Sequence, residues 1–207
     1  MLCLTVPTDE AWVDAATADV EAVLLDHAHC EMKAASNALS LAARHPQDAE
    51  LVRALTDLAR EEIDHFQRVH AVLTARGVGL GPPPVDAYAA ELRRAVQAEP
   101  RESGLPSLVD RLLVCALIEA RSCERFKLLA AATQARAAFV EEHALWNELL
   151  AAEARHYRTF VEMAVRAAGG DRPRATARLE RLARLEGAIV GSFAAGGAAP
   201  SRATIHG

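Results

Sequence analysis

Hydrophobic residues recur along most of the chain at spacings of three and four, which is the period of an amphipathic α-helix. Alternating runs rich in Val, Ile and Thr, the pattern of strands, are absent. Proline and glycine interrupt the helical period and separate the segments. The predicted helices are Thr8–Arg44, with a possible break near Ala16–Ala18, Gln47–Arg76, Val85–Gln97, Pro106–Thr133, Arg136–Ala168 and Arg174–Phe193.

The lengths of the links predict how the four long helices are connected. Short links follow the first and third long helices, so each forms an antiparallel hairpin with the next. The link 77–105 is longer and includes the rigid sequence GVGLGPPP. One long crossover between two hairpins is the connectivity of ferritin-like bundles. We therefore predict an all-α, ferritin-like antiparallel four-helix bundle with accessory helices, formed by a single domain over 1–195 and followed by a flexible tail, 196–207.

The second long helix carries polar side chains where its core-facing stripe requires apolar ones. Leu58, Glu62, His65 and Val69 follow one another at spacings of four, three and four. The neighbouring Glu61 falls on a different stripe, composed of charged residues, which indicates a solvated face. The stripe therefore favours Glu62 over Glu61 as an inward-facing side chain.

The fourth long helix repeats this arrangement. Glu153 and His156 interrupt an apolar stripe that includes Leu150 and Phe160. At a spacing of three, both side chains project from one face and can reach one metal ion. Two such carboxylate–imidazole pairs inside a bundle are typical of di-iron carboxylate proteins.

A di-iron site of this type requires one more carboxylate from each remaining long helix. On the first, Glu31 lies on an alanine-rich stripe, and His27, one turn earlier, is interpreted as a core histidine or as a residue supporting a ligand. On the third, Glu119 shares its face with uncharged residues, whereas Glu124 lies near Arg121. We favour Glu119 and retain Glu124 as the alternative.

The residue types favour iron. Iron that changes oxidation state prefers anionic oxygen donors and imidazole, and four carboxylates offset the charge of two divalent ions in a low-dielectric core. Two irons are expected, one bound by Glu31 and His65, the other by Glu119 and His156. Glu62 and Glu153 are expected to bridge them. The predicted ligands, which are also the predicted catalytic residues, are thus Glu31, Glu62, His65, Glu119, Glu153 and His156. A metal-free helical interaction module is the alternative.

Charge and composition limit the possible partners. The 207 residues have a net charge of −5, so a polyanion would require a local basic patch. One face of the last helix carries three arginines that we predict to contact phosphate: Arg174, Arg178 and Arg181. The equal alternative is that these arginines only face solvent. No apolar stretch is long enough to cross a membrane. The four cysteines lack CxxC spacing, which favours reduced thiols and a cytoplasmic location.

Four segments resemble the MiaE family of tRNA-(2-methylthio-N6-isopentenyladenosine) hydroxylases: HAHCEMKAA (27–35), REEIDHF (60–66), IEARSCERF (118–126) and AEARHYRTF (152–160). The resemblance covers about residues 8–195, and IEARSCERF is its most specific part. It implies the same six ligands and a di-iron monooxygenase. Such an enzyme would use O2 and electrons from an external donor, an unknown reductase, to hydroxylate the isopentenyl group of an adenosine beside the tRNA anticodon. The alternative is a ferritin-like ferroxidase or peroxide-reducing protein without a tRNA substrate.

Overall fold

In the computed structural model, the described residues are 2–195 and Ile205. They contain seven α-helices, one 3-10 turn and no strand, which confirms the all-α prediction. The helices are α1 (Glu10–Ala18), α2 (Val20–Arg44), α3 (Ala49–Ala75), α4 (Ala87–Ala98), α5 (Ser107–Thr133), α6 (Val140–Ala167) and α7 (Arg172–Ala195), with the 3-10 turn Ala137–Phe139 directly before α6.

Aspartate side chains determine where several of the helices begin. The predicted break in the first long helix falls at Asp19, whose carboxylate accepts a hydrogen bond from the backbone N–H of Ala22 and restarts the helix as α2. Asp48 caps α3 in the same way. At the other end of α3, Gly77 has a φ of 72°, the left-handed conformation that glycine adopts without strain and that closes many helices.

The bundle consists of α2, α3, α5 and α6. The closest packing is between α2 and α3 and between α5 and α6, the two hairpins expected from the short links, and α3 also contacts α6. The crossover contains α4, which packs on α5 and α7. The expected ferritin-like connectivity, with one long crossover, is therefore present.

Two apolar clusters fill the bundle and leave a polar layer between them. One includes Ala35, Leu58, Leu117 and Phe160, and the other includes Leu24, Val69, Phe126 and Trp146. On each bundle helix the predicted ligands lie between the members of these clusters or at their boundary. Because neighbouring helices run antiparallel, this places the ligands of all four helices at the same level of the bundle.

The α7 arginines that were predicted to contact phosphate pair with acidic residues of the crossover and of α5. Arg178 is only 6% exposed and donates through Nε and Nη2 to the two carboxylate oxygens of Asp110, at 2.8 and 3.1 Å. Arg174 pairs with Glu102 at 3.0 Å, and Arg181 pairs with Glu99. To contact phosphate, each arginine would have to leave its acidic partner, and the loss of that ion pair would weaken the binding of phosphate.

Most of the predicted flexible tail, 196–207, lies outside the described residues. Its one described residue, Ile205, is fully buried. Asp26 accepts a hydrogen bond from the Ile205 backbone N–H at 2.6 Å, and Arg125 donates to the Ile205 carbonyl at 2.7 Å. Within the described residues, every helix is too short or too polar to cross a bilayer. The four cysteines are free thiols.

Candidate metal centre

All six predicted ligands are buried in the polar layer, and none is more than 7% exposed. Glu62 is the central residue. Its Oε2 lies 3.3 Å from Nδ1 of His65, and its Oε1 lies 3.2 Å from Nδ1 of His156. One carboxylate thus contacts the imidazoles of both Glu-x-x-His pairs.

Potential ligand atoms gather in two groups that share Glu62. Atoms of Glu31, Glu62 and His65 lie within 4.8 Å of one another, and so do atoms of Glu62, Glu119 and His156. The two groups match the expected pairing of Glu31 with His65 and of Glu119 with His156. The position of Glu62 in both groups is the one that a bridging carboxylate requires.

A third group brings Glu153 together with Glu31 and His27. Nε2 of His27 lies 2.8 Å from Oε1 of Glu31, and the ring of His27 packs edge-on against Phe126 at 4.7 Å between centroids. The sequence indicated either a core histidine or a residue supporting a ligand. In the structure, His27 both packs in the core against Phe126 and contacts the predicted ligand Glu31. It is the third histidine of the centre.

The structure distinguishes between the two candidate metal ligands on α5. Glu124 forms an ion pair with Arg121 and accepts a hydrogen bond from the Thr8 hydroxyl at 2.8 Å, outside the metal-binding groups. Glu119, in contrast, lies beside Glu62 and His156. Glu119 is therefore the α5 carboxylate positioned to bind a metal ion.

The centre holds more buried carboxylates than positively charged groups, and this imbalance shifts the pKa values of its glutamates. Burial, together with repulsion from Glu62 and Glu119, raises the pKa of Glu31 well above its usual value. Burial, together with repulsion from Glu119, also raises the pKa of Glu153. Burial acts against Glu62 as well, but hydrogen bonds from His156 and His65 lower its pKa overall. Four carboxylates that cannot all ionise together fit a site for two divalent cations, and the ferritin-like fold with these donors indicates iron.

Glu61 takes part in the centre, although its stripe predicted a solvated face. Its side chain is 44% exposed, yet its Oε2 accepts a hydrogen bond from Nε2 of His156 at 3.1 Å. Both ring nitrogens of His156 therefore face carboxylates, and with a metal ion at Nδ1 the Glu61 carboxylate would hold the remaining proton on Nε2. Helical periodicity could not reveal the contact, because it joins side chains of α3 and α6.

Replacing Glu61 by Ala is expected to weaken iron binding by roughly 10–100-fold, because His156 loses the group that orients its ring. Titration of the iron-loaded protein with a competing chelator measures this change. Asp64→Ala is the matched control, since Asp64 is an exposed carboxylate on the same helix. Equal affinities of the two variants would show that Glu61 does not support the site.

A small chamber of about 40 Å³ reaches the centre at Glu119. Its apolar walls include Ala34, Ala89, Ile118 and Phe160. A buried water requires about 10–15 Å³, so the chamber holds roughly three such groups and is too small for a purine ring. These four residues provide an apolar surface for a short alkyl group beside Glu119.

Comparisons with known proteins identify relatives over most of the chain. Residues 1–195 match the family model for tRNA-(MS[2]IO[6]A)-hydroxylase (MiaE). A relative from Pseudomonas putida KT2440 is 44% identical over 159 residues, which is 76% of this chain and 73% of that protein. It is named tRNA 2-(methylsulfanyl)-N(6)-isopentenyladenosine(37) hydroxylase. A protein of the same name from Salmonella typhimurium LT2 is 27% identical over the same shares of each chain.

A solved structure is also similar. It is described as Protein 43 with aldehyde deformylating oxygenase activity from Synechococcus, and it matches with a TM-score of 0.83 and 36% sequence identity. The match covers 100% of this chain and 96% of that one. The family match over 1–195 and the 44% identical relative lead to one conclusion: the chain belongs to the MiaE family of tRNA hydroxylases.

Proposed function

We propose that this protein is a non-haem di-iron monooxygenase that hydroxylates the isopentenyl group of 2-methylthio-N6-isopentenyladenosine in tRNA. The observation that carries the proposal is the convergence of carboxylates and imidazoles from all four bundle helices next to a small chamber whose wall is partly apolar. The names of the curated relatives provide the substrate. A tRNA substrate assigns the enzyme to the cytoplasm.

Two groups of residues would hold the iron ions: Glu31, Glu62 and His65 for one, and Glu62, Glu119 and His156 for the other. Glu153 would complete the set from α6, next to Glu31. When bound, the two irons would supply the redox chemistry that activates O2, with electrons from an external reductase. His27 would hold Glu31 in position through their 2.8 Å contact.

The protein's own contribution is to position the alkyl group and to exclude water. Ala34, Ala89 and Ile118 form walls that bury an alkyl group without offering it a polar partner. At about 40 Å³ the chamber admits only the end of the alkyl arm of the nucleoside and keeps the purine outside. The reacting C–H bond is thereby held near Glu119, which makes oxidation of this group faster than oxidation of groups outside the chamber.

The decisive experiment combines reduced, iron-loaded protein with an anticodon stem–loop that carries the isopentenylated nucleoside, in the presence of isotopically labelled O2. We expect the nucleoside to gain one labelled oxygen atom, measured by mass spectrometry after digestion. A stem–loop with unmodified adenosine is the control. An unchanged nucleoside, with full iron occupancy and a competent electron donor, would contradict the proposal.

The solved relative favours a second candidate, oxidation of a small aldehyde with loss of its formyl group. The same apolar chamber would hold the alkyl part of an aldehyde. Incubating the same enzyme preparation with an aliphatic aldehyde and measuring formate tests this candidate. Formate release without hydroxylation of the stem–loop would replace the first proposal by the second, and iron oxidation without either product would favour the ferroxidase alternative.

A further inference from the structure

A long groove of about 970 Å³ lies between α2, α4 and the beginning of α5. One face of α2 lines it from His29 to Arg44, with lining residues in each helical turn. At 1.5 Å per residue this face is about 22 Å long. The groove is therefore much larger than the chamber beside the candidate metal centre.

The groove adjoins that chamber. Five residues line both spaces and form the neck between them: Lys33, Asn37, Asp86, Arg93 and Cys115. The amide of Asn37 donates to the sulfur of Cys115 at 3.2 Å across this neck. Because the chamber is only about 40 Å³, a molecule in the groove could place no more than a narrow arm beside Glu119, with its larger part in the groove or at the neck.

The charge of the groove is opposite to that of the chain. Five basic and two acidic side chains line it, in a protein whose net charge is −5. Each of the two acidic residues already has a basic partner: Asp110 pairs with Arg101 at 2.7 Å, and Asp86 lies 4.0 Å from Lys33. The remaining basic residues, Arg44, Arg93 and Arg111, are exposed and form no ion pair with any other residue of the described part of the chain.

We propose that this groove binds the single-stranded loop of the RNA substrate, with Arg44, Arg93 and Arg111 contacting its phosphates. The modified base stands at the neck and its alkyl arm enters the chamber. This inference rests on the proposed function, since it takes a tRNA loop as the occupant. Single-stranded loops present splayed bases to proteins, and a face about 22 Å long spans several nucleotides of such a loop.

The test compares two triple variants that lose the same charge. Arg44→Ala/Arg93→Ala/Arg111→Ala removes the groove arginines. Arg53→Ala/Arg158→Ala/Arg184→Ala removes three exposed arginines outside the groove. Fluorescence anisotropy measures the affinity of each protein for the isopentenylated anticodon stem–loop at several salt concentrations, and circular dichroism checks that each variant is folded.

The groove variant is expected to bind on the order of 100-fold more weakly at 0.1 M salt, because three phosphate contacts are lost. Its plot of log affinity against log salt should be shallower by about 2, since each single-strand contact contributes ~0.7. The triple Arg→Lys variant should recover most of the slope, because the charges return. The control variant should match the wild type in affinity and in hydroxylation.

The outcomes separate this inference from the proposed function. If the wild type hydroxylates the stem–loop and both Ala variants bind it equally well, the groove assignment is wrong and the proposed function stands. If the wild type fails to hydroxylate a stem–loop that it binds through the groove arginines, the proposed reaction is wrong and the binding surface stands. Equal losses in the groove and control variants would indicate non-specific attraction and would also overturn the groove assignment.

Discussion

Replacing Glu153 by Gln is expected to remove at least about half of the bound iron and all measurable hydroxylation, and yet to make the metal-free protein more stable. Glu153 is 3% exposed and lies among other carboxylates of the centre. Burial and repulsion from Glu119 raise its pKa well above the usual value. A neutral amide of the same shape removes this repulsion, but it cannot supply the anionic oxygen that iron requires.

The sign of the stability change depends on pH. A carboxyl with a raised pKa in the folded protein destabilises the fold at neutral pH, because the unfolded chain ionises it at lower cost. The stabilisation by Glu153→Gln should therefore be present at neutral pH and disappear below about pH 4, where glutamates are protonated in the unfolded chain too. At this chain length each kcal/mol raises the melting temperature by about 2–4 °C.

Metal analysis and calorimetry of the metal-free and iron-loaded proteins measure both effects. Glu141→Gln is the matched control, because Glu141 is an exposed glutamate on the same helix. We expect it to retain iron and to leave the melting temperature unchanged. If the metal-free Glu153→Gln protein were less stable than the wild type and kept its iron, Glu153 would be an ordinary hydrogen-bonded core residue.

The sequence predicted the inward-facing residues of each helix because helical periodicity is a local property. Glu62 and His65 occupy positions where the stripe requires apolar residues, so their direction follows from their neighbours along α3 alone. The same reasoning favoured Glu119 over Glu124 on α5, and the structure places Glu119 in the centre. Contacts between helices do not follow from periodicity, which is why the hydrogen bond from His156 to Glu61 was missed.

The arginines illustrate the same limit. Regular spacing on α7 indicated a basic face, but spacing cannot tell whether solvent or another segment covers that face. The crossover covers Arg178, which pairs with Asp110 in the core. Arg44, Arg93 and Arg111 come from three different helices and form no local pattern. Only the packing of those helices brings them to one groove.

Replacing Arg121 by Ala is expected to cause the largest loss of stability, roughly 3–5 kcal/mol, which lowers the melting temperature by about 6–20 °C. Arg121 is fully buried and donates through Nε and Nη2 to the two oxygens of Glu186, at 2.9 and 3.0 Å. It also donates to the Val6 carbonyl at 3.0 Å and to the Thr8 hydroxyl at 3.2 Å. One side chain thus joins α5, α7 and the segment before α1.

Most of this loss comes from the carboxylates that remain, above all the fully buried Glu186. Without Arg121, the buried carboxylate of Glu186 still accepts a hydrogen bond from the Tyr88 hydroxyl at 3.0 Å but loses its ion-pair partner, and an uncompensated buried charge is costly. The double variant Arg121→Met/Glu186→Gln removes both charges and keeps an acceptor for Tyr88. It should therefore recover at least about half of the stability lost in Arg121→Ala. Arg184→Ala, an exposed arginine of α7, is the control and should melt like the wild type. If the double variant were no more stable than Arg121→Ala, the packing and hydrogen bonds of Arg121 would be more important than the charge it neutralises.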